Sequence, residues 1–212
     1  MKKKCSLCKS LNTSLFAEVE NKKYFICRIC DLVFLPGRYH LSPDEEKKRY
    51  ELHENDPADE SYRKFLSRLA KPVKEMTTVP AKGLDYGSGP VPVLAKMLED
   101  DGYDTKFYDP YFADDHSVLN EDYDFICCSE VFEHFSNPGS EIEKLLNILK
   151  VNGILGIMTE IRQESIKFRN WHYRRDPTHV CFYSDKTIDW ISKNYNLVRY
   201  KISNRVNIFQ KM

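Results

Sequence analysis

Residues 82–90 read KGLDYGSGP, and this stretch decides the fold of the chain. The order of residue types predicts the end of a strand that runs into a turn containing Gly87 and Gly89. A helix follows, because apolar residues recur on one helical face: Val93, Leu94, Met97 and Leu98. The glycines let backbone amides approach a ligand closely, and the start of a helix favours negative groups. The stretch therefore predicts an α/β fold with a ligand site at this turn.

A second acidic residue lies at the tip of the next predicted strand. Residues 105–108 form a strand-like run that ends at Asp109, twenty-four residues after Asp85. A carboxylate in that place can accept hydrogen bonds from both hydroxyls of an adenosine ribose. The dinucleotide fingerprint G-x-G-x-x-G is incomplete, because Pro92 occupies its last glycine position. A nicotinamide oxidoreductase is therefore disfavoured.

These motifs resemble those of class I S-adenosylmethionine-dependent methyltransferases. The first motif of that superfamily usually reads D/E-x-G-x-G-x-G; Asp85, Gly87 and Gly89 match it, and Val91 replaces the third glycine. Further along, residues 123–135 read YDFICCSEVFEHF, a buried strand followed by an E-H pair. This second stretch is similar to the fourth-strand motif of the superfamily.

The remaining predicted elements keep the order of that fold: a helix at 140–149, a turn at 152–153, a strand at 154–159 and a hairpin of residues 197–202 and 206–210. The resemblance implies a Rossmann-like class I methyltransferase sheet with helices on both faces over residues 81–212. Only residues 110–122 separate Asp109 from the fourth strand, so the third-strand region is expected to be truncated.

The resemblance also implies S-adenosylmethionine as the cofactor. Asp109 is expected to hold the ribose, the turn after Asp85 the methionine portion, and Glu130 to lie near that portion. The predicted cofactor-binding residues are Asp85, Tyr86, Gly87, Ser88, Gly89, Tyr108, Asp109, Pro110, Ser129 and Glu130. Asp114 or Asp115 is a further candidate for contact with adenine.

Residues 171–184, WHYRRDPTHVCFYS, here called the aromatic loop, combine four aromatic residues, two histidines and two arginines in fourteen positions. Such a density of donors, titratable rings and flat surfaces is typical of a substrate pocket. The predicted substrate-binding residues are Trp171, His172, Tyr173, Arg174, His179 and Tyr183. The alternative is a packed loop in which Trp171 and Tyr173 are core aromatics.

Methyl transfer to a hydroxyl or an amine also requires loss of a proton. The ordinary pKa of histidine lies near neutrality, so His179, His134 and His172 are the candidate catalytic bases, with His179 first. A structural role for any one of them is the alternative.

A different role is open for Glu130, Glu133 and His134. Their E-x-x-E-H spacing resembles the one that some quinone-pathway O-methyltransferases use to hold a divalent cation. Carboxylate and imidazole suit such an ion. The alternative is that these side chains only orient the cofactor and its neighbours.

The first 35 residues contain two C-x-x-C pairs separated by 18 residues. The four thiolates, Cys5, Cys8, Cys27 and Cys30, predict a tetrahedral structural zinc site in a zinc ribbon whose hairpin turns at Asn21. Two disulfides or a thioredoxin-like redox pair explain the two pairs less well. With this ribbon, the whole chain looks like a bacterial group of zinc-ribbon methyltransferases of undefined substrate.

A polar helical connector is predicted over residues 36–80. Its helices are expected at about 43–52, after an N-cap at Ser42, and at about 60–70. Tyr50, His53 and Asn55 between them are placed to cover a pocket, although a plain connector is the alternative.

The charge of the chain is balanced overall but divided along it. Among 212 residues, 32 basic side chains face 32 acidic ones; residues 81–160 carry −11, whereas residues 1–30 and 161–212 carry +5 and +7. The longest apolar runs are too short to cross a bilayer and no signal peptide begins the chain, which predicts a cytoplasmic protein without membrane insertion.

Two classes of methyl acceptor fit this charge distribution. Lys167, Arg169, Arg174 and Arg175 lie in or beside the aromatic loop and favour a small acceptor bearing phosphate or carboxylate. The basic ribbon leaves open an RNA methyltransferase or an RNA-binding protein as the alternative.

Overall fold

The computed structural model describes residues 3–52 and 55–212, and its amino-terminal part is a small antiparallel sheet. Strands β1 (Thr13–Val19) and β2 (Lys22–Cys27) form the predicted hairpin. Its turn residues Glu20 and Asn21 have φ values of 52° and 62°, a left-handed pair whose twist matches that of the strands. Strand β3 (Val33–Phe34) pairs with β2.

Two helices connect this sheet to the rest of the chain. Helix α1 (Pro43–Tyr50) starts at a capping box, in which the side chains of Ser42 and Glu45 each accept a hydrogen bond from the other residue's amide. Helix α2 (Glu60–Met76) continues six residues beyond the predicted end and through Pro72. Its apolar face extends to the fully buried Val73, and this burial outweighs the backbone hydrogen bond that Pro72 removes. His53 lies outside the described residues.

The second half of the chain forms the central sheet and its helices. Its elements are β4 (Lys82–Tyr86), α3 (Val93–Asp100), β5 (Asp104–Tyr108), β6 (Tyr123–Ser129), α4 (Pro138–Ile148), β7 (Leu149–Met158), β8 (Cys181–Phe182), α5 (Asp185–Asn194), β9 (Leu197–Lys201) and β10 (Val206–Lys211). Six of these strands form a sheet in the order β5-β4-β6-β7-β10-β9, parallel from β5 to β7 and antiparallel in the last two pairings.

This order confirms the predicted Rossmann-like fold and its truncated third-strand region, because β5 is the edge strand and residues 109–122 contain only a short 3-10 helix, His116–Asn120. Successive residues of β6 face opposite sides of the sheet and so enter different apolar cores. Phe125 packs with α2 and α3, whereas Ile126 packs on the opposite face with α4 and α5. Within the described part of the chain, no helix has the length and apolar character needed to span a membrane.

Strand β7 differs from its prediction. It begins at Leu149, and the expected turn at Asn152 lies inside it as an irregularity: Tyr123 pairs with Leu149, whereas Phe125 pairs with Ile154. Asn152 adopts a left-handed φ of 64°, a conformation that Asn tolerates. The local turn signal is therefore used to bulge a strand rather than to separate two elements.

The aromatic loop joins the amino-terminal sheet to the central sheet. Strand β8 pairs with β3, so the small sheet has the order β1-β2-β3-β8, and the Leu35 amide donates to the Val180 carbonyl at 2.8 Å. The Val180 amide donates in turn to the Glu133 carbonyl at 2.9 Å, beyond the end of β6. One apolar core is shared by the ribbon, the loop and the central sheet.

Candidate active site

A cavity of about 510 Å³ opens at the carboxyl ends of β4, β5 and β6. This is where the strand order reverses, the usual ligand position in an open α/β sheet. Most residues predicted to bind cofactor or to act as bases line it: Tyr86, Gly87, Ser88, Gly89, Tyr108, Asp109, Pro110, Ser129, Glu130, His134 and His179.

The glycine turn after β4 has a shape that side chains would disturb. Gly87 and Gly89 have φ values of 79° and 69°. A Cβ atom on Gly87 would lie 2.5 Å from Cγ2 of Val131, and one on Gly89 would lie 3.2 Å from Nδ2 of Asn55. A side chain at either glycine would therefore meet a neighbouring residue, whereas the bare backbone fits and lines the cavity.

Asp85 lies beneath this turn and does not line the cavity. Its carboxyl group is 2% exposed and accepts a hydrogen bond from the Ala95 amide at 3.2 Å, near the start of α3. Burial raises the pKa of Asp85 to about 7, with a smaller contribution from Asp109. Its observed contact supports the helix.

Asp109 ties the tip of β5 to the glycine turn. One carboxylate oxygen accepts from the Gly89 amide at 2.9 Å, and the other accepts from the amides of Tyr111 and Phe112 at 2.9 and 3.2 Å. A carboxylate offers about four acceptor positions, so Asp109 retains capacity for a further donor in the cavity.

Aromatic rings form the wall beside Asp109. Tyr86 and Tyr108 stack with centroids 5.3 Å apart, and their hydroxyls donate to Glu141 and Asp114. Asp114 and Asp115 are outside the cavity lining, and Asp115 caps the short helix after β5.

Helix α1 forms the roof. Glu46 accepts hydrogen bonds from the hydroxyls of Tyr111 at 2.6 Å and Tyr50 at 3.2 Å. Arg49 forms an ion pair with Asp176 at 3.0 Å, which connects α1 to the loop that carries His179. Tyr50 and Asn55 line the cavity, as expected of residues that cover a pocket. Sequence reasoning missed Glu46 and Tyr111, because neither forms a recognisable motif.

Two imidazoles meet at the floor of the cavity. The rings of His134 and His179 have centroids 4.8 Å apart. Nδ1 of His134 donates to the Thr178 carbonyl at 3.2 Å, and Nδ1 of His179 donates to the Tyr173 carbonyl at 2.6 Å. Burial lowers the pKa of His179, although Glu133 opposes this effect. In the neutral rings, Nε2 is therefore the unprotonated nitrogen.

A fully buried carboxylate lies behind the imidazoles. Glu133 is 0% exposed and accepts hydrogen bonds from the hydroxyls of Thr159, at 2.8 Å, and of Tyr173. Nε2 of His134 and of His179 lie 3.9 and 4.0 Å from Glu133 Oε1.

Glu130, at the cavity wall, also lies within hydrogen-bond distance of the Tyr173 hydroxyl, at 3.2 Å, and in addition binds an arginine. Both of its oxygens lie 3.1 Å from Nη1 of Arg205, which also binds Glu160. Burial and nearby Glu133 raise the pKa of Glu130, and Arg205 opposes the shift. Sequence reasoning missed Arg205, which lies in the turn between β9 and β10, without a motif around it.

The aromatic loop contributes only one of its predicted substrate-binding residues, His179, to the cavity. Trp171, Tyr173 and Tyr183 are buried in the core, and the indole of Trp171 donates to Glu160 at 2.6 Å. His172 is exposed and lies 3.3 Å from Glu160. The structure therefore favours the packed-loop alternative for these residues.

The basic side chains that suggested an anionic acceptor also lie away from the cavity. Arg174 is 5% exposed and faces Glu20 in the ribbon at 3.4 Å, while Lys167, Arg169 and Arg175 are exposed outside the lining. Among the described residues that line the cavity, the carboxylates of Glu46, Asp109, Glu130 and Glu141 outnumber the one ammonium, that of Lys144. The expectation of an anionic acceptor loses its support.

The four ribbon cysteines form a compact cluster. Sγ atoms of Cys5 and Cys30 are 3.5 Å apart, those of Cys8 and Cys27 are 3.4 Å apart, and all four lie within 4.8 Å of one another. A zinc ion with bonds of about 2.3 Å to four sulfurs has S–S separations of roughly 3.8 Å. The donor set and its dimensions fit zinc.

Similarity to known proteins agrees with this arrangement. A family model described as Methyltransferase domain matches residues 53–201. The PH0226 protein of Pyrococcus horikoshii OT3 is 14% identical with a TM-score of 0.50, over 78% of this chain and 99% of that one. The Burkholderia thailandensis 1,6-didemethyltoxoflavin-N1-methyltransferase, solved with bound 1,6-didemethyltoxoflavin and S-adenosylhomocysteine, is 13% identical with a TM-score of 0.54, over 85% of this chain and 96% of that one. These two likenesses show the fold, and no curated protein matches the chain.

Proposed function

Because the chain belongs to the methyltransferase-domain family and is an S-adenosylmethionine-dependent methyltransferase, we propose that it methylates a small molecule bound beside His134 and His179. The observation that carries the proposal is the continuity of one cavity from the glycine turn and Asp109 to the two imidazoles. A cofactor at the turn and an acceptor at the imidazoles would share that cavity, as in-line transfer requires.

The residues at the strand tips fit the cofactor. Asp109 would accept hydrogen bonds from the ribose, Gly87 and Gly89 would leave room for the methionine portion, and Tyr108 and Pro110 would border the adenine. S-adenosylmethionine supplies a methyl group on a positively charged sulfur, and Glu130 lies in the cavity wall that adjoins the glycine turn.

The imidazoles are placed to activate the acceptor. Hydrogen bonds from both Nδ1 atoms to backbone carbonyls orient the rings, which fixes Nε2 as the reactive nitrogen. His179 is the first candidate because burial lowers its pKa and keeps the ring neutral near pH 7. His134 is the second, and exposed His172 lies outside the cavity.

The roof favours a small acceptor over RNA. Tyr50 and Tyr111 are tied through Glu46 across the cavity, and Tyr62 and Phe65 of α2 add apolar walls. Aromatic walls and few polar groups are typical of small-molecule sites. We also infer that Cys5, Cys8, Cys27 and Cys30 hold one structural zinc ion.

Calorimetric titration with S-adenosylhomocysteine tests the cofactor site. We expect micromolar binding by the wild-type chain and a loss of at least about tenfold in affinity for Asp109→Ala, roughly 1.4 kcal/mol. Asp115→Ala is the matched control, since Asp115 caps the neighbouring 3-10 helix outside the cavity. No binding by the folded wild-type protein, or equal losses in the two variants, would contradict the proposal.

A further inference from the structure

Three metal-binding side chains meet at the floor of the cavity, apart from the ribbon cysteines. Glu133, His134 and His179 each offer one ligand atom, and these atoms lie within 4.8 Å of one another. We propose that these three residues hold a divalent first-row transition-metal ion whose open coordination positions face the acceptor. Two imidazoles and one carboxylate are a ligand set that suits iron, manganese, cobalt or zinc.

The spacing of the ligand atoms fits an ion better than direct hydrogen bonds. Nε2 of His134 and of His179 are 3.9 and 4.0 Å from Glu133 Oε1, beyond hydrogen-bond range. An ion equidistant from three atoms at such separations lies roughly 2.3–2.5 Å from each, so a contraction of a few tenths of an ångström gives ordinary metal–ligand bonds of about 2.0–2.2 Å.

The surrounding hydrogen bonds orient all three side chains as metal ligands are oriented. Each imidazole donates its Nδ1 hydrogen to a backbone carbonyl, of Thr178 for His134 and of Tyr173 for His179, which directs Nε2 inward. The hydroxyls of Thr159 and Tyr173 hold the Glu133 carboxylate. Such outer contacts are a regular part of protein metal sites.

Burial of Glu133 gives a second, independent reason for a cation. Its side chain is 0% exposed, and among residues 3–52 and 55–212 the two imidazoles are the only basic groups within ion-pair distance. A buried carboxylate without a cation is costly, and two neutral hydroxyls only partly offset that cost. A divalent ion between the three ligands supplies the missing positive charge.

This site differs from the one that the E-x-x-E-H spacing suggests. Arg205 holds both oxygens of Glu130 at 3.1 Å, and Glu130 is outside the cluster of ligand atoms. In the proposed ligand set, the place of Glu130 is taken by His179, which is 45 residues away from His134 along the chain.

The position of the ion indicates its use. His134 and His179 line the cavity, whereas Glu133 lies behind them, so the open positions point toward the acceptor. A divalent ion there would occupy the Nε2 lone pairs of both imidazoles and so take over from them the activation of the acceptor. It lowers the pKa of a hydroxyl bound to it, which favours an oxygen acceptor. This role rests on the proposed function, whereas binding of the ion does not.

Metal content of the full-length chain tests the proposal, with Co²⁺ loaded after chelation. We expect His179→Ala and His134→Gln each to bind one Co²⁺ ion fewer per chain than wild type, or to bind that ion more than about 100-fold more weakly, since loss of a ligand exceeds the effect of an outer contact. His172→Ala, at an exposed histidine outside the cluster, should bind as many ions as wild type.

Spectra separate this site from the ribbon. The histidine variants should lose one Co²⁺ ion but keep the thiolate-to-metal charge-transfer band of the ribbon site. Cys8→Ser should lose that band and keep the Co²⁺ ion that the histidines bind. Titration with S-adenosylhomocysteine, run in parallel, reports the cofactor site by itself. Equal Co²⁺ content in wild type, His179→Ala and His134→Gln, with all of them folded, would overturn the metal proposal even if cofactor binding is retained.

Discussion

Gly87→Ala should destabilise the protein and weaken cofactor binding for two separable reasons. Gly87 has a φ of 79°, which an alanine adopts only at a cost of about 1–2 kcal/mol. The new methyl group would also lie 2.5 Å and 2.9 Å from the two γ carbons of Val131, and relief of such overlap costs typically 1–3 kcal/mol. The expected loss in the free energy of unfolding is therefore roughly 2–5 kcal/mol.

Val131→Ala separates the two contributions. It removes the two γ carbons and leaves only Cβ of Val131, 3.3 Å from the new methyl group, so the double variant keeps the backbone strain but loses most of the overlap. Val131→Ala by itself should cost about 1.6 kcal/mol for two buried methyl groups. Relative to the sum of the single variants, the double variant should recover roughly 1–3 kcal/mol.

Urea unfolding of wild type, Gly87→Ala, Val131→Ala and the double variant measures these differences in the free energy of unfolding. Titration with S-adenosylhomocysteine measures how the same changes affect cofactor affinity. We expect at least about tenfold weaker binding for Gly87→Ala and partial recovery in the double variant. Gly37→Ala is the control, because a Cβ there meets nothing within 4 Å. The reasoning fails if Gly87→Ala behaves like Gly37→Ala, or if Val131→Ala recovers none of the loss.

Three further variants test other parts of the structure. The folded pKa of Asp85, about 7, is raised from 3.8, so wild type loses stability as pH rises between these values. The free energy of unfolding of Asp85→Asn, measured with urea and taken relative to wild type, should therefore rise over that interval by at most roughly 4 kcal/mol and then level off; parallel pH profiles of the two proteins would contradict this. Tyr173→Phe removes a donor to buried Glu133 and should cost about 1–3 kcal/mol in thermal unfolding, while Tyr200→Phe, at a more exposed hydroxyl, should cost much less. Cys8→Ser should lower zinc content by one ion per chain and speed amide exchange at Val180, since β3 pairs with β8; unchanged exchange would argue against that coupling.

Much of the fold followed from short-range patterns. The hairpin of the ribbon, the capped start of α1, and the chain order of the six strands of the central sheet were predicted, whereas β8 was not; caps, turns and apolar periodicity act over a few residues. The end of α2 and the start of β7 were wrong. There, Pro72 and Asn152 are local stop signals that tertiary burial overrides.

The residues of the candidate site, like the elements of the fold, were predicted only in part. The glycine turn and Asp109 carry a recognisable spacing, and both line the cavity as expected. The aromatic loop was singled out by its residue types alone, because it contains no motif of fixed spacing. Residue types do not determine whether a side chain faces the cavity or the core. Its rings are apolar enough to enter the core, and they do so.

The sequence by itself determined the α/β order, the glycine turn, the paired cysteines and the methyltransferase family, since each follows from the identity and spacing of residues that are close along the chain. Only the tertiary structure decided that Glu133 and His134, just after β6, meet His179 of a distant loop, and that Arg205 forms an ion pair with Glu130. Such meetings depend on the pairing of β8 with β3 and on the packing of whole elements, because side-chain contacts between distant segments follow from burial rather than from local pattern.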